Sequence, residues 1–319
     1  MKILVTGGAG FIGGNFIYYL LENRPKDQVI CLDALTYAGN PNTLTDANQN
    51  PNFTFIKGDI AEPDTVDKVF FTYHPDIVVN FAAESHVDRS ILNPPLFLHT
   101  NIIGTGVLLD TCRKYGILRF HQISTDEVYG DLPLDRPDLS FHETSLLHPS
   151  SPYSASKASA DLLVLAYHRS YGLPVTISRS SNNYGPFQHC EKLIPKVIQC
   201  ALHDQSIPVY GTGENIRDWV HVKDHCAAID RILQNGAEGE IYHIGGRQEL
   251  QNLQVIRSIL QVLHKPESLI RFVLDRPGHD LRYALDLTKI QKELHWAPTI
   301  SFDEGIHTTV QWYLQHPEW

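Results

Sequence analysis

Tyr153 and Lys157 stand four residues apart in Tyr-Ser-Ala-Ser-Lys. On a helix the phenol and the ammonium share one face, one turn apart. A phenol near pKa 10 is a poor base at neutral pH, and bringing it to 7 takes about 3 units, or about 4 kcal/mol. The neighbouring ammonium and a second positive charge in a dry site are expected to supply that between them. Upstream, Ser124-Thr125-Asp126-Glu127-Val128-Tyr129-Gly130 follows a strand-like run. Thr125 there can hydrogen-bond the hydroxyl that Tyr153 would deprotonate.

The second positive charge has a candidate carrier. Gly7-Gly8-Ala9-Gly10-Phe11-Ile12-Gly13 follows a strand pattern and opens a helix pattern, with Gly7, Gly10 and Gly13 spaced G-x-x-G-x-x-G. Glycines permit the tight turn, close approach of backbone to a pyrophosphate, and close helix–strand packing. The helix N-terminus then offers unpaired N–H groups and positive dipole to phosphate. Asp33 closes the next strand pattern about 20 residues on, the position that accepts hydrogen bonds from an adenine ribose. No Arg or Lys occurs from Cys31 to Asn40, so a 2′-phosphate finds no welcome and the expected cofactor is NAD. Asp59 and Ile60 are placed under the adenine.

The elements that must position these residues are legible as alternating patterns. Strands are expected at Lys2–Thr6, Gln28–Asp33, Thr54–Lys57, Ile77–Ala82, Arg119–Ser124 and Val175–Ser178. Helices are expected at Phe11–Asn23, Thr65–His74, Asn101–Tyr115 and Ser154–Tyr171. Such alternation implies a Rossmann-type, doubly wound parallel α/β sheet. Residues 1–181 read as the NAD-binding domain, with returning segments near 215–246. Residues 182–319, denser in Pro and Gly, read as a smaller mixed α/β lobe over the strand ends, holding substrate.

Composition excludes several classes. The 319-residue chain is 42% hydrophobic and 19% charged, with a formal charge of −10, so it offers no global attraction to nucleic acid or an anionic membrane. No run of about 18 apolar residues exists to span a bilayer, and no leader pattern precedes the first strand. Five scattered cysteines form no Cys-x-x-Cys pair, which suits a reducing cytoplasm. His221 and His225 have a ligand-like spacing, but no carboxylate or thiol motif completes a metal site, so no metal is expected.

With these motifs in hand, the chain resembles the extended short-chain dehydrogenase/reductase family. The Asp126-Glu127 pair after Thr125 resembles its dTDP-glucose 4,6-dehydratase branch. The likeness runs along nearly the whole chain, through Phe81-Ala82-Ala83-Glu84-Ser85-His86-Val87-Asp88-Arg89-Ser90, Asn182-Asn183-Tyr184-Gly185-Pro186, Glu191-Lys192-Leu193-Ile194-Pro195, Arg217-Asp218-Trp219 and Asp275-Arg276-Pro277-Gly278-His279-Asp280. It implies oxidation at C4 of a nucleotide-linked glucose by Tyr153, so that the C5 proton becomes α to a ketone. Glu127 then acts as base at C5 and Asp126 as acid on the C6 hydroxyl, giving a 4-keto-6-deoxy sugar. Asp126 must therefore hold a proton near pH 7, raised by burial and by Glu127. Residues 126 and 127 of a strand would point to opposite faces, so the chain is expected to turn there.

The resemblance also assigns cofactor contacts to Ala34, Leu35, Thr36, Phe81, Ala82, Ala83, Ser85, Thr100 and Asn183. Substrate contacts fall on Ser85, Thr125, Asn182, Lys192, Leu193, Pro208, Tyr210, Arg217, Asn252, Arg276, His279 and Tyr283, with Arg217 suited to clamp a diphosphate. Cys190 stands where the family has proline, which frees the backbone of that loop. A homodimer is implied, paired through helices Asn101–Tyr115 and Ser154–Tyr171. Two other readings share the NAD site: a nucleotide-sugar 4-epimerase, which has no need of Asp126 and Glu127, and a nonenzymatic NAD-binding regulatory protein.

Overall fold

A computed structural model describes residues 1–275 and 278–319. Lys2–Thr6 (β1) is buried from Ile3 onward and lies between two parallel neighbours, Gln28–Asp33 (β2) and Ile77–Asn80 (β4). Its uninterrupted apolar run follows from that, since both faces are covered. Phe53–Lys57 (β3), Arg119–Thr125 (β5), Val175–Ser180 (β6) and Glu240–Ile244 complete a seven-stranded parallel sheet. Its order is 3-2-1-4-5-6 with Glu240–Ile244 outside β6, the Rossmann order plus one edge strand.

Each face of the sheet has its own core. Phe16, Ile17 and Leu20 of helix Phe11–Asn23 pack with Cys226, Ile229 and Ile232 of helix Val222–Asn235 on one face. Val66, Phe70, Leu108, Cys112 and Val164, from helices Pro63–Tyr73, Thr105–Tyr115 and Pro152–Tyr171, cover the other. The expected Asn101–Tyr115 helix is longer at its start. Helical backbone begins at Pro94, widens to a π-helix over Leu98–Gly104, and returns to α-helix at Thr105. Helical periodicity in sequence does not reveal a π turn, because one extra residue per turn leaves no compositional mark.

Strand β4 stops at Asn80, two residues short of the expected Ala82. The chain there leaves the sheet to pass over the glycine turn, and Ala82 donates its N–H to Thr6 Oγ1. The C-terminal lobe has a third core, built from Ile194, Ile198, Val255, Ile259, Phe302 and Ile306. Two small sheets serve it: Asn182–Tyr184 with Ile216–His221 and Glu249–Gln251, and Ile207–Tyr210 with Ile270–Val273. Among the described residues no helix is long and apolar enough to cross a membrane.

Candidate active site

The crevice opens where the strand order reverses, between the C-terminal ends of β1 and β4. Gly7 follows β1 at φ +68°, a left-handed conformation that favours glycine. A Cβ on Gly7 would meet Ala82 N at 2.6 Å, and one on Gly13 would meet Gly7 O at 2.4 Å. Helix Phe11–Asn23 starts at Gly10 without a side-chain cap, so its first N–H groups face the cleft unclaimed by any side chain. This donor set fits a pyrophosphate. Asp33 accepts from Ala9 N–H at 2.9 Å and Leu35 N–H at 2.7 Å, tying the turn to the end of β2. Each oxygen keeps lone-pair capacity for ribose hydroxyls.

A cleft of about 290 Å³ runs from this turn to the end of β5. Of the expected cofactor residues it brings together Gly7, Gly10, Phe11, Ile12, Gly13, Asp33, Ala34, Thr36, Asp59, Ile60, Phe81, Ala82, Ala83, Ser85, Thr100, Tyr153, Lys157 and Asn183. Leu35 is outside it. Its backbone turns at φ 55° and its side chain packs on the apolar core beneath helix Phe11–Asn23. Turning away is what lets its N–H reach Asp33.

At the far end, β5 stops at Thr125 and a 3₁₀ turn spans Asp126–Tyr129, where Thr125 Oγ1 accepts from Glu127 N–H at 3.3 Å. That turn puts both Asp126 and Glu127 on the cleft wall. Asp126 is 2% exposed, and its Oδ2 is buried without a hydrogen-bond partner. Burial, with the adjacent Glu127 charge, pushes its carboxyl well above the usual range, while Arg217 opposes this. A carboxylic acid is thereby favoured over a carboxylate.

Helix Pro152–Tyr171 carries the other pair. Ser151 caps it by accepting from Ser154 N–H at 3.1 Å, and Pro152 occupies its first turn. Asn101 of the π turn bonds Ser156 Oγ at 2.8 Å and the backbone of Glu84, so it pins the helix to the loop after β4. Lys157 is buried and donates to Ile123 O at 2.6 Å. Burial brings its ammonium down to about 8. Burial, aided by Glu127, pushes the Tyr153 phenol well up, against a hydrogen bond with Thr125. Without the cofactor's positive charge, the groups around Tyr153 favour a neutral phenol.

The expected substrate residues divide. Ser85, Thr125, Asn182 and Lys192 line the cleft, and Lys192 donates to Ser85 O at 3.0 Å. Leu193, Pro208, Tyr210, Arg217, Asn252, His279 and Tyr283 do not line it. Arg217 donates to the carbonyls of Ile216, Leu281 and Asp280 and lies 4.5 Å over the Tyr283 ring. Its charge is felt at Asp126 and at Tyr283, which places this pair beside the carboxylates. Tyr210 and His279 rings meet edge-on at 6.3 Å, and His279 bonds Asp275. Leu193 and Asn252 each begin a helix, and Pro208 is exposed on Ile207–Tyr210. Arg276 lies outside the described residues.

Residues to which the sequence assigns no site role also line the cleft, notably Glu84, Gln188, His189 and Glu191. Glu84 is 1% exposed with Oε2 unpartnered, and burial raises its carboxyl. A lone charge directly after the small apolar run Phe81-Ala82-Ala83 is the signal that the sequence offers. Arg89, on the short helix Val87–Leu92, stacks over Tyr37 at 4.1 Å and bonds Glu191 at 3.3 Å, so it ties two loops together at the cleft mouth. His225 and His221 are engaged elsewhere: His225 bonds Asn183 Oδ1 at 2.7 Å, and His221 caps the helix that begins at Val222.

Known proteins resemble this chain along its length. The model of the GDP-mannose 4,6 dehydratase family matches residues 4–309. The dTDP-glucose 4,6-dehydratase of Haemophilus influenzae is 50% identical over 98% of this chain and 98% of its own. That of Escherichia coli is 48% identical over 100% of this chain and 95% of its own. The DesIV dTDP-glucose 4,6-dehydratase from Streptomyces venezuelae, solved with NAD and TYD bound, matches at TM-score 0.96 and 47% identity, covering 100% of this chain and 98% of that one. The chain belongs to the nucleotide-sugar dehydratase family and, within it, to the dTDP-glucose 4,6-dehydratases.

Proposed function

We propose that this chain is an NAD-dependent hydro-lyase that converts dTDP-glucose to the 4-keto-6-deoxy sugar. One observation carries the reading: a buried carboxyl that favours its proton, a second carboxylate and a phenol line one cleft, beside a glycine cradle suited to a dinucleotide. NAD supplies the hydride acceptor at C4 and the hydride donor at C6. Tyr153, held by Thr125, takes the C4 hydroxyl proton, and the positive charge of the oxidised nicotinamide has to supply the acidity that burial withholds. Lys157, fixed on the Ile123 carbonyl, orients that end of the site. Glu127 removes the C5 proton once C4 is a ketone. Asp126 protonates the departing C6 hydroxyl.

Residues 1–181 hold the cofactor in this reading, and residues 182–319 the nucleotide. Arg217, already positioned by three carbonyls, keeps N–H groups for a diphosphate, and Lys192 lines the cleft. Exposed Leu96, Leu98 and Ile103 on the helical stretch from Pro94 to Tyr115, and Leu162 on helix Pro152–Tyr171, support a homodimer through those faces. Five free cysteines suit a reducing cytoplasm.

The test is incubation of purified protein with dTDP-glucose and, separately, UDP-glucose, without added NAD, read by mass spectrometry. Loss of one water from dTDP-glucose is expected. An unchanged mass with inverted C4 stereochemistry would identify an epimerase instead.

A further inference from the structure

A nucleotide-linked sugar has to be held at both ends, and this inference rests on the proposed dehydration of one. The C4 hydroxyl must meet Tyr153 while the diphosphate meets Arg217. These residues stand on different lobes, on helix Pro152–Tyr171 and on strand Ile216–His221. Reacting atoms tolerate little drift: a misplacement of about 1 Å costs about 100-fold in rate. Something therefore has to keep the arginine and the phenol in register.

Asp280 reaches both lobes. Its carboxyl oxygen Oδ2 accepts from the Ser150 hydroxyl at 2.7 Å and from the Tyr283 phenol. Ser150 directly precedes Ser151, the cap of the helix that carries Tyr153. The Asp280 carbonyl accepts from Arg217 Nη2 at 2.8 Å and from Asn215 Nδ2 at 3.1 Å. Between those two residues, Ile216 N–H donates to Leu281 O at 2.8 Å, so residues 280–283 are fastened to the start of the Arg217 strand. Asp280 is 8% exposed, and a hydrogen bond there is stronger than in open water. Neighbouring ties run elsewhere: Leu281 N–H donates to Asp131 at 3.1 Å, and Arg282 donates to the carbonyls of Arg136, Pro137 and Leu139.

We propose that Asp280 is a positioning residue that locks the diphosphate-binding arginine to the start of the catalytic helix. Arg217 spends three hydrogen bonds on the carbonyls of Ile216, Asp280 and Leu281. Its guanidinium is thereby fixed to the same residue whose side chain holds Ser150. Removing the Asp280–Ser150 bond leaves those carbonyls, and with them the nucleotide grip, in place. What is lost is the spacing between the grip and the phenol. Binding energy gained at the nucleotide then no longer brings the C4 hydroxyl into line with Tyr153.

Ser150→Ala removes this bond alone and tests the proposal. Its kcat with dTDP-glucose should fall about 10-fold, with KM and the affinity for dTDP held within about 2-fold. The effect of deuterium at C4 on kcat should be at least as large as in wild type, because oxidation has become slower. Asp280→Ala, which also frees Tyr283, should lose about 100-fold, and adding Ser150→Ala to it should cost nothing further. Asp280→Asn retains an oxygen for both hydroxyls and should stay within about 3-fold of wild type. A wild-type kcat in Ser150→Ala would overturn the proposal. So would a dTDP affinity that falls in step with kcat, or a smaller isotope effect, which puts the slow step elsewhere. Asp280→Asn as slow as Asp280→Ala would overturn it too, since the hydrogen bonds would then not be what acts. Wild type that yields no dehydrated sugar would instead remove the dehydration reading on which the register rests.

Discussion

Gly7 and Gly13 face Asp126 and Tyr153 from opposite ends of one cleft, yet the two ends are built in opposite ways. The glycine end is backbone: its donors are helix-terminal N–H groups, and side-chain volume is excluded by the Gly7 carbonyl and by Ala82. The carboxylate end is side chain, with three ionisable groups taken out of water and the Asp126 Oδ2 left without a partner. Close packing makes the glycine end part of what holds the sheet together. Burial without partners makes the carboxylate end a cost to folding that activity alone explains. Damage to the first should therefore appear as lost folding and lost cofactor together, and damage to the second as lost chemistry with stability kept.

The strongest break is Gly13→Ala, whose Cβ would sit 2.4 Å from Gly7 O. A loss of at least about 2 kcal/mol is expected from overpacking a backbone that cannot yield. NAD released on denaturation should be nearly absent and the melting temperature lowered, the two readings falling together.

Asp126→Asn should separate them. Reduced nicotinamide accumulates with dTDP-glucose while water loss slows by roughly 10²- to 10⁴-fold. Because the folded carboxyl titrates above its unfolded value, the native state binds the extra proton between the two. Wild-type stability therefore falls as pH rises through that window. Urea midpoints across it should be flatter for Asp126→Asn; an unchanged slope would mean that the carboxyl is not perturbed.

Lys157→Met carries the opposite sign. Burial lowers this ammonium from 10.5 to about 8, so between these values the unfolded chain binds more protons and wild-type stability rises with pH. The methionine variant should lose that rise, along with about 10²- to 10³-fold in the rate of C4 oxidation. Stability matching wild type at every pH would show that the ammonium is not desolvated.

The smallest effect belongs to Gly10→Ala. Gly10 has φ −83°, and its Cβ would meet only Gly7 O at 3.3 Å. Stability should change by less than about 0.5 kcal/mol, while NAD binding measured by calorimetry weakens by about 10-fold through lost backbone approach. An equal fall in melting temperature for Gly10→Ala and Gly13→Ala would mean that the glycines do not differ in this way.

The same contrast explains what could be read from the chain alone. β1, β2 and helix Phe11–Asn23 are recovered residue for residue, because uninterrupted apolar runs and a glycine turn are local signals. Asn182–Tyr184, Ile207–Tyr210, Glu249–Gln251 and Ile270–Val273 were not anticipated as strands. Each has three or four residues, and its partner is distant in sequence. In the site, the spacing of Tyr153 and Lys157 is local and was legible. How strongly burial opposes ionisation of Tyr153 is not, since it depends on how much water the folded chain removes. The three carbonyls that hold Arg217 come from two segments more than sixty residues apart, which no local pattern reports.

The π turn at Leu98–Gly104 has a consequence for how this chain can vary. Removing one residue there would restore an ordinary helix and better hydrogen bonds, but would rotate everything on one side by about 100° against the other. Asn101 would swing away from Glu84 and Ser156, and the Tyr153 helix would lose its tether to the cofactor loop. Inheritance of this stretch is therefore constrained in length more than in letters. A codon changed at exposed His99 should pass unnoticed, where a codon deleted should not.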